Sequence, residues 1–570
     1  MMGSAVIQAQ DYLDVPTWDG EEGTTLDKVI WGDTLADGSR ASANRVYRLE
    51  RGGFYIIAGN PPISYSFAMI AGDDTNTGDG SGRLPVVARG KYSTGVNVQN
   101  LLVFNRSNNH YYFENIIFTA VDLDGAYETQ WTAGLQFHGN NIRVEIKGCV
   151  FNAWQAGAVT LDGEGSTLYM SDNVFRNGVA TYHPFVGQQG NFSAHAMDSL
   201  VITNNLYVNN QATWVRQGGQ GLADYVVFEH NTIVTSLVPT LELREMTNAL
   251  IRSNIFYGEG AYGDNEFSKK EHWYTDDESG MATLYYRPVQ GTQLSDAGLT
   301  EADRIIEATN NAYFTPKAIK DYHNAHDKVT GNTFINTGTQ TTMFDDKTAY
   351  PKLKAENNVE KDPKFGGNTA ALTHIVDGVA LQCEELYSSK AAGKGWGANS
   401  SRRNIDEDLG ESDIMLFDWP LVEGTFPVTE SSLLTAGHDG LPVGYLGWDS
   451  ASRDQYEYPQ GVGGFQGLSM FGGSLANNDY DFTSQGYELS SYPNPVNSIA
   501  TISFKLPKAA NVTISVYSIM GQKISTITSS SFAKGTHTVQ WDASNVASGL
   551  YIYKLDTDEV SQAHQMIITK

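Results

Sequence analysis

The segments LVITNNLYV (200–208), VVFEHNTIV (226–234) and LIRSNIFY (250–257) repeat one pattern: alternating apolar residues, a polar pair, an Asn, then a second short apolar run. It reads back through LYMSDNVF (168–175), RVEIKGCVF (143–151) and YYFENIIF (111–118). With Asn115, Gly148, Asn173, Asn205, Asn231 and Asn254 as the common position, the intervals are 33, 25, 32, 26 and 23 residues. A unit of that length with short strands and no helical period cannot bury its apolar face alone, so copies must stack. Leucine-rich repeats demand a Leu pattern that is missing here, and propeller blades run longer, about 40–50 residues. A parallel β-helix remains, with successive turns of chain about 4.8 Å apart. The recurrent Asn (Asn115, Asn173, Asn205, Asn231, Asn254) is expected at a bend. There its side chain can bond the Asn of the next rung and satisfy backbone that the corner leaves unpaired.

These rungs resemble those of the right-handed parallel β-helix proteins of the pectin-lyase-like class, which implies an all-β fold. The resemblance covers about residues 91–365, with further rungs at NNAYF (310–314) and NTFIN (332–336) and a closing DPKF (362–365). VYRLERGGFYII (46–57) looks like the strand that opens such helices, within a cap and first rungs at 11–90; an uncovered end would be an exposed sheet edge. Residues 258–309 show no rung pattern and are expected to form a loop excursion, with a short helix near LTEADRII (299–306). Residues 366–470 should cap or decorate the helix. They contain HDGLPVGYLGW (438–448), similar to tails that follow the β-helix in secreted proteins of the Bacteroidetes; Asp439-Gly440 and Pro442 read as turns and Trp448 as an anchor.

A polar, Gly-rich linker is expected at 471–489, followed by a second module. ATISFKLP (500–507), NVTISVYSIMGQKI (511–524), THTVQWDAS (536–544) and GLYIYKL (549–555) alternate apolar and polar residues, which predicts a small antiparallel β-sandwich. The module resembles the type A C-terminal sorting domain of the type IX secretion system. The matching residues are Tyr492-Pro493-Asn494-Pro495, Gly521-Gln522, Gly549-Leu550-Tyr551 and the terminal MIITK ending at Lys570; His564-Gln565 stands where a Lys pair is usual. The resemblance implies type IX secretion machinery as a partner of residues 490–570 and passage across both membranes of a Bacteroidetes-type envelope. Removal of the domain, and release or attachment to surface lipopolysaccharide, would follow.

Charge and cysteine usage narrow the classes further. The 570 residues carry 38 Lys+Arg against 65 Asp+Glu, a net charge of −27, so phosphate backbones repel the chain and nucleic acid is excluded as a partner. Two cysteines, Cys149 and Cys383, allow neither a disulfide framework nor a Cys-based zinc site, and read as separate buried thiols. No apolar run is long enough for a transmembrane segment. MMGSAVIQAQ (1–10) reads as the tail of a signal peptide.

Ligand sites on such a helix lie where outward side chains of successive rungs form a ladder. Counting back from the corners aligns Gln136 and His138 (LQFHG), Thr160 and Asp162 (VTLDG), Gln188 and Gln189, Trp214 and Arg216 (TWVRQ), and Glu242 and Arg244 (LELRE). A merely solvated face would also be polar, but Trp214 beside two arginines suits an acidic sugar. Asp162 and Glu242, three rungs apart at about 14 Å, exceed the roughly 5–9.5 Å that glycosidase carboxylates need. Arg216 and Arg244, expected about 5 Å apart on neighbouring rungs, could neutralise a uronate carboxylate for β-elimination. LELRE loosely resembles the LRHG segment of alginate and chondroitin lyases, but Glu245-Met246 replaces His-Gly and no Lys or Tyr base stands beside it.

The expected catalytic residues are therefore Arg244 and Arg216, with Trp214, Glu242, Asp162, His138 and Gln136 binding substrate, in a secreted protein that binds or cleaves an acidic polysaccharide. Whether it is an enzyme stays open. The alternative is a non-catalytic surface scaffold or adhesin. Calcium is the one cofactor considered, through Asp122, Asp124 and Glu128 (DLDGAYE), where a turn competes as the reading; no other metal ligands are expected.

Overall fold

The computed structural model describes residues 11–35, 41–42, 44–59, 62–72, 83–92, 94–121, 133–154, 157–178, 190–191, 197–210, 215–217, 221–238, 240–243, 245–263, 282–285, 289, 292–326, 329, 333–335, 343–392, 421–459, 465–471, 488–492, 496–506, 508–518, 523–547, 549–557 and 561–569. The chain divides into two compact units, one from Asp11 to Gly467 and one containing Leu468–Lys570.

The first unit is a parallel β-helix. Among the described residues, sheet A has 11 strands, from Asp11–Val15 to Leu353–Glu356; sheet B has 10, from Phe54–Ile57 to Val359–Glu360; sheet C has eight, from Asn100–Phe104 to Thr333–Ile335. One turn of chain visits each sheet once: Met197–Thr203 in A, Leu206–Asn210 in B, Val215–Gln217 in C, then Val226–Glu229 in A directly beside its predecessor. Alternation along each strand sends every second side chain inward. In sheet A the row Ile146, Met170, Ile202, Phe228, Ile251 is in register and buried. In sheet B, Phe118, Phe151, Phe175 and Tyr207 stack with ring centroids 5.4, 4.9 and 5.0 Å apart, so the rung spacing itself sets aromatic stacking distance.

The A-to-B corner explains the repeat. After the register row Glu114, Lys147, Ser171, Thr203, Glu229, Arg252, the chain turns through Asn115, Gly148, Asp172, Asn204, His230, Ser253, Asn310 and Asn357, all with positive φ between 52° and 62°. The next position carries the asparagine ladder Asn173, Asn205, Asn231, Asn254, Asn311, Asn358. From Asn205 onward, each side-chain oxygen accepts from the backbone N–H and the side chain of the Asn one rung before it. The ladder thus omits Asn115: it and Gly148 occupy the left-handed bend, one residue before the ladder column, and Cys149 stands where the ladder would continue, its N–H donating to Asn173. Glycine and asparagine both tolerate that bend, which is why they looked interchangeable in sequence.

Other expectations shift. VYRLERGGFYII does not open the helix, because Asp11–Val15 pairs ahead of it and the short helix Leu26–Gly32 buries Leu26 and Ile30 in the core. The interval 258–309 contributes Ala282–Tyr285 to sheet C and Ile305–Thr309 to sheet A, with 3-10 geometry at Glu301–Asp303. NTFIN supplies the last described strand of sheet C rather than a corner.

After Glu360 the chain turns back along the outside of sheet B. Phe365, Phe426, Val428, Leu433 and Val443 pack on the outward residues Leu206, Val208, Val234, Ile255 and Tyr257. A helix unforeseen in sequence, Thr369–Ala391, capped by the Asn368 side chain, adds Ile375 and Val376 to this layer and seats Cys383 and Leu386 against Tyr262, Ile319 and Tyr322. Farther on, Phe465 covers the outward Tyr169, Val201 and Val227 of sheet A. Cys149 and Cys383 are free, buried thiols, and burial pushes Cys149 up to about 12.

The second unit holds two antiparallel sheets. One is Glu488–Tyr492, Ile499–Leu506 and Gly535–Asp542; the other is Lys523–Phe532, Ala510–Ser518, Gly549–Asp556 and Ser561–Ile568. Ile502, Phe504 and Leu506 of the first meet Val512, Ile514, Val516, Tyr553 and Leu555 of the second in one apolar core, which makes it a sandwich.

Candidate functional site

Two of the three outward faces of the β-helix carry returning chain; sheet C carries a polar row. Its register places Val103, Gln136, Thr160, Asn191, Arg216, Glu242 and Tyr285 opposite one another on successive strands. Leu135 and Val159, one residue before Gln136 and Thr160, are buried, while Gln136 and Thr160 are partly exposed, so on these two strands the row lies on the outward face. At the end of two of these strands, His138 Nδ1 lies 2.7 Å from Asp162 Oδ2, both side chains more than a third exposed. The hydrogen bond to Asp162 raises the His138 pKa above its ordinary value.

Gln136, Arg216 and Glu242 therefore share one column, and His138 and Asp162 form a pair beside it. The register differs from the sequence alignment in one consequential place. Arg216 stands opposite Glu242, so an acid, and not Arg244, is its neighbour on the next rung. Counting back from corners misjudged the length of a loop, and a shift of two residues keeps a side chain on the same face while changing its partner. Asn191, and not Gln188 or Gln189, fills the intervening rung. Trp214, Arg244, Gln188, Gln189 and the candidate calcium ligands Asp122, Asp124 and Glu128 lie outside the described residues.

The turn from sheet C into sheet A adds two acids that sequence reading passed over. Asp198 lies at the start of the sheet A strand Met197–Thr203 and Asp224 two residues before the strand Val226–Glu229, on adjacent rungs where Met197 and Ala223 are bridged. Burial raises the Asp198 pKa. Part of Asp224 reaches solvent, but burial of its carboxyl, with the nearby Asp198 charge second, pushes it up to about 7. A carboxyl that titrates near neutrality at the edge of an open face is suited to proton transfer. Nothing in the local sequence marks it, because the effect comes from stacking two rungs.

The left-handed corner residues have a second use, which accounts for HDGLPVGYLGW. Asn310 Nδ2 donates to the Ala436 carbonyl (3.0 Å), Ser253 Oγ accepts from the His438 N–H (2.8 Å), His230 meets Asp439 and Gly444, Asn204 Oδ1 accepts from the Leu446 N–H (2.6 Å), and Tyr458 donates to Asp172 (2.7 Å). One side chain per rung holds the returning segment, which runs across the rungs from Asn310 back to Asp172. Gly444 has φ +89°, and a Cβ there would meet Thr232 Oγ1 at 2.5 Å and Ile255 Cδ1 at 2.7 Å, so the motif needs glycine at that position. Trp448 packs on the same apolar layer.

No helix among the described residues is long and apolar enough to cross a membrane. No curated protein and no solved structure matches the chain. Residues 490–569, the second unit's sandwich, match the family model described as a secretion system C-terminal sorting domain. The chain is thus a Bacteroidetes-type secreted protein that engages the type IX secretion machinery through its C-terminal sandwich and is exported to the extracellular space or the cell surface.

Proposed function

We propose that the exported β-helix binds an extended acidic polysaccharide along the outward face of sheet C. The carrying observation is the in-register polar column Gln136, Thr160, Asn191, Arg216, Glu242 on the face that, among the described residues, bears no returning chain. A repeating column at about 4.8 Å suits a repeating polymer better than a compact ligand. Arg216 supplies a cation for a uronate, and Asp224 at the rim supplies a group able to take or give a proton near pH 7. Cleavage by β-elimination would need a second cation beside Arg216. With Glu242 opposite it, binding is the better-supported activity and lyase chemistry the extension of it.

The test is a panel of pectin, alginate, ulvan and glycosaminoglycans, with retention on immobilised glycan and ultraviolet absorbance of unsaturated product measured together. Retention on an acidic member supports the proposal, and added absorbance makes the protein a lyase. A chain retained by none of them would fit a non-catalytic scaffold or adhesin instead.

A further inference from the structure

The docked segment brings together three side chains whose donor atoms all lie within 4.8 Å of one another: His230, His438 and Asp439. His230 belongs to the corner row and its side chain is 0 % exposed; His438 and Asp439 arrive 208 and 209 residues later. Its Nδ1 faces the Gly444 carbonyl at 3.3 Å. In the tautomer whose Nδ1 donates to that carbonyl, Nε2 bears a lone pair free for an ion. That nitrogen points at Asp439 Oδ2, 3.1 Å away. A metal ion gives the arrangement typical of metal-bound histidines, one nitrogen on the ion and the other donating to a carbonyl.

His438 approaches from the other side with the same kind of support. Its Nδ1 is 2.8 Å from Ser253 Oγ, and its Nε2 is 3.7 Å from Glu229 Oε2. Glu229 is itself engaged by Arg252 (2.7 Å) and by the Tyr456 hydroxyl (2.6 Å), which leaves it as an outer counter-charge. We propose that His230, His438 and Asp439 form a binding site for one divalent ion of the zinc class, which pins the returning segment to the β-helix. Two imidazoles and one carboxylate suit zinc, copper or nickel and not the all-oxygen shells of calcium or magnesium. A tetrahedral zinc with bonds of about 2.0–2.1 Å sets its donors roughly 3.3 Å apart. The His230–Asp439 contact already has about that spacing, and with all three donor atoms within 4.8 Å of one another an ion has only to draw His438 inward. The site is independent of the glycan face.

The test uses the full chain without a histidine tag, stripped with a chelator and titrated with zinc alone by calorimetry. One zinc per chain is expected, with a rise in thermal midpoint. His438→Gln and Asp439→Asn should each weaken binding more than about tenfold, since even outer-shell partners are worth that much. No zinc binding by the wild type, or one-site binding undiminished in the double variant, overturns the proposal. Should the variants fail to fold, X-ray absorption of the zinc-loaded wild type decides: two imidazole nitrogens and a carboxylate oxygen support the site, and any other set overturns it.

Discussion

Arg176 and Glu423 face each other through two parallel hydrogen bonds of 2.6 and 2.8 Å, both side chains 0 % exposed, across 247 residues of sequence. The pair joins a strand of sheet B to the returning segment, and it is the kind of contact whose halves are far more sensitive than the whole. Removing one partner leaves a buried charge uncompensated, at about 3–5 kcal/mol, whereas an apolar pair of similar volume is often neutral or stabilising. Glu423→Ala should therefore lower unfolding free energy by about 3–5 kcal/mol in a denaturant titration. Arg176→Met with Glu423→Leu should recover most of that loss; equal losses for single and double variants would contradict this.

Gly444→Ala should loosen the returning segment. The left-handed backbone costs a non-glycine residue about 1–3 kcal/mol, and the contacts with Thr232 and Ile255 add to it. Gly440→Ala has a similar φ of +83° but open space around it, so only the backbone cost applies. Limited proteolysis within 421–459 should be faster for Gly444→Ala than for Gly440→Ala. Equal rates would mean that the close approach at Gly444 does not hold the segment.

Asp224 gives the pH dependence a definite sign. Its folded pKa, about 7, lies above its ordinary 3.8, so folding disfavours the ionised form. The contribution to stability is fully present below pH 3.8 and is lost as pH rises through 7. Asp224→Asn should stabilise the protein at pH 8 and leave it unchanged at pH 3. Thermal midpoints of the two proteins at those pH values check this, and an Asn variant no more stable at pH 8 would refute it.

The sorting domain predicts a location experiment. A chain lacking residues 490–570, expressed in a host with type IX secretion, should accumulate in the periplasm, because the matched domain is the address. Unchanged surface display of the truncated chain would show that export relies on another signal.

What was legible in sequence follows from what is local. Apolar alternation and the recurring asparagine sufficed for the parallel helix, since each rung repeats the same solution to burying one face. The ladder column was misaligned at Asn115 and Gly148 because bend and ladder both accept small polar residues, and only inter-rung bonds separate them. Gln136, Thr160 and Glu242 were read onto one column as the register has them, while Arg216 was read onto the column of His138 and Asp162 and falls two residues over onto theirs, because register depends on loop length that sequence hides. His230 with His438 and Asp439, and Asp198 with Asp224, were invisible for a different reason. Their meaning arises only when distant residues or successive rungs are brought together.

Affinity for an acidic oligosaccharide, measured by calorimetry at low salt for the wild type, Arg216→Ala and Glu242→Gln, tests the proposal of a glycan-binding face most directly. With Arg216 as the cation and Glu242 opposite it, Arg216→Ala should weaken binding by about 2 kcal/mol, roughly thirtyfold. Glu242→Gln, which removes a repelling charge, should strengthen it. Equal affinities in all three proteins would contradict a carboxylate-binding face on sheet C.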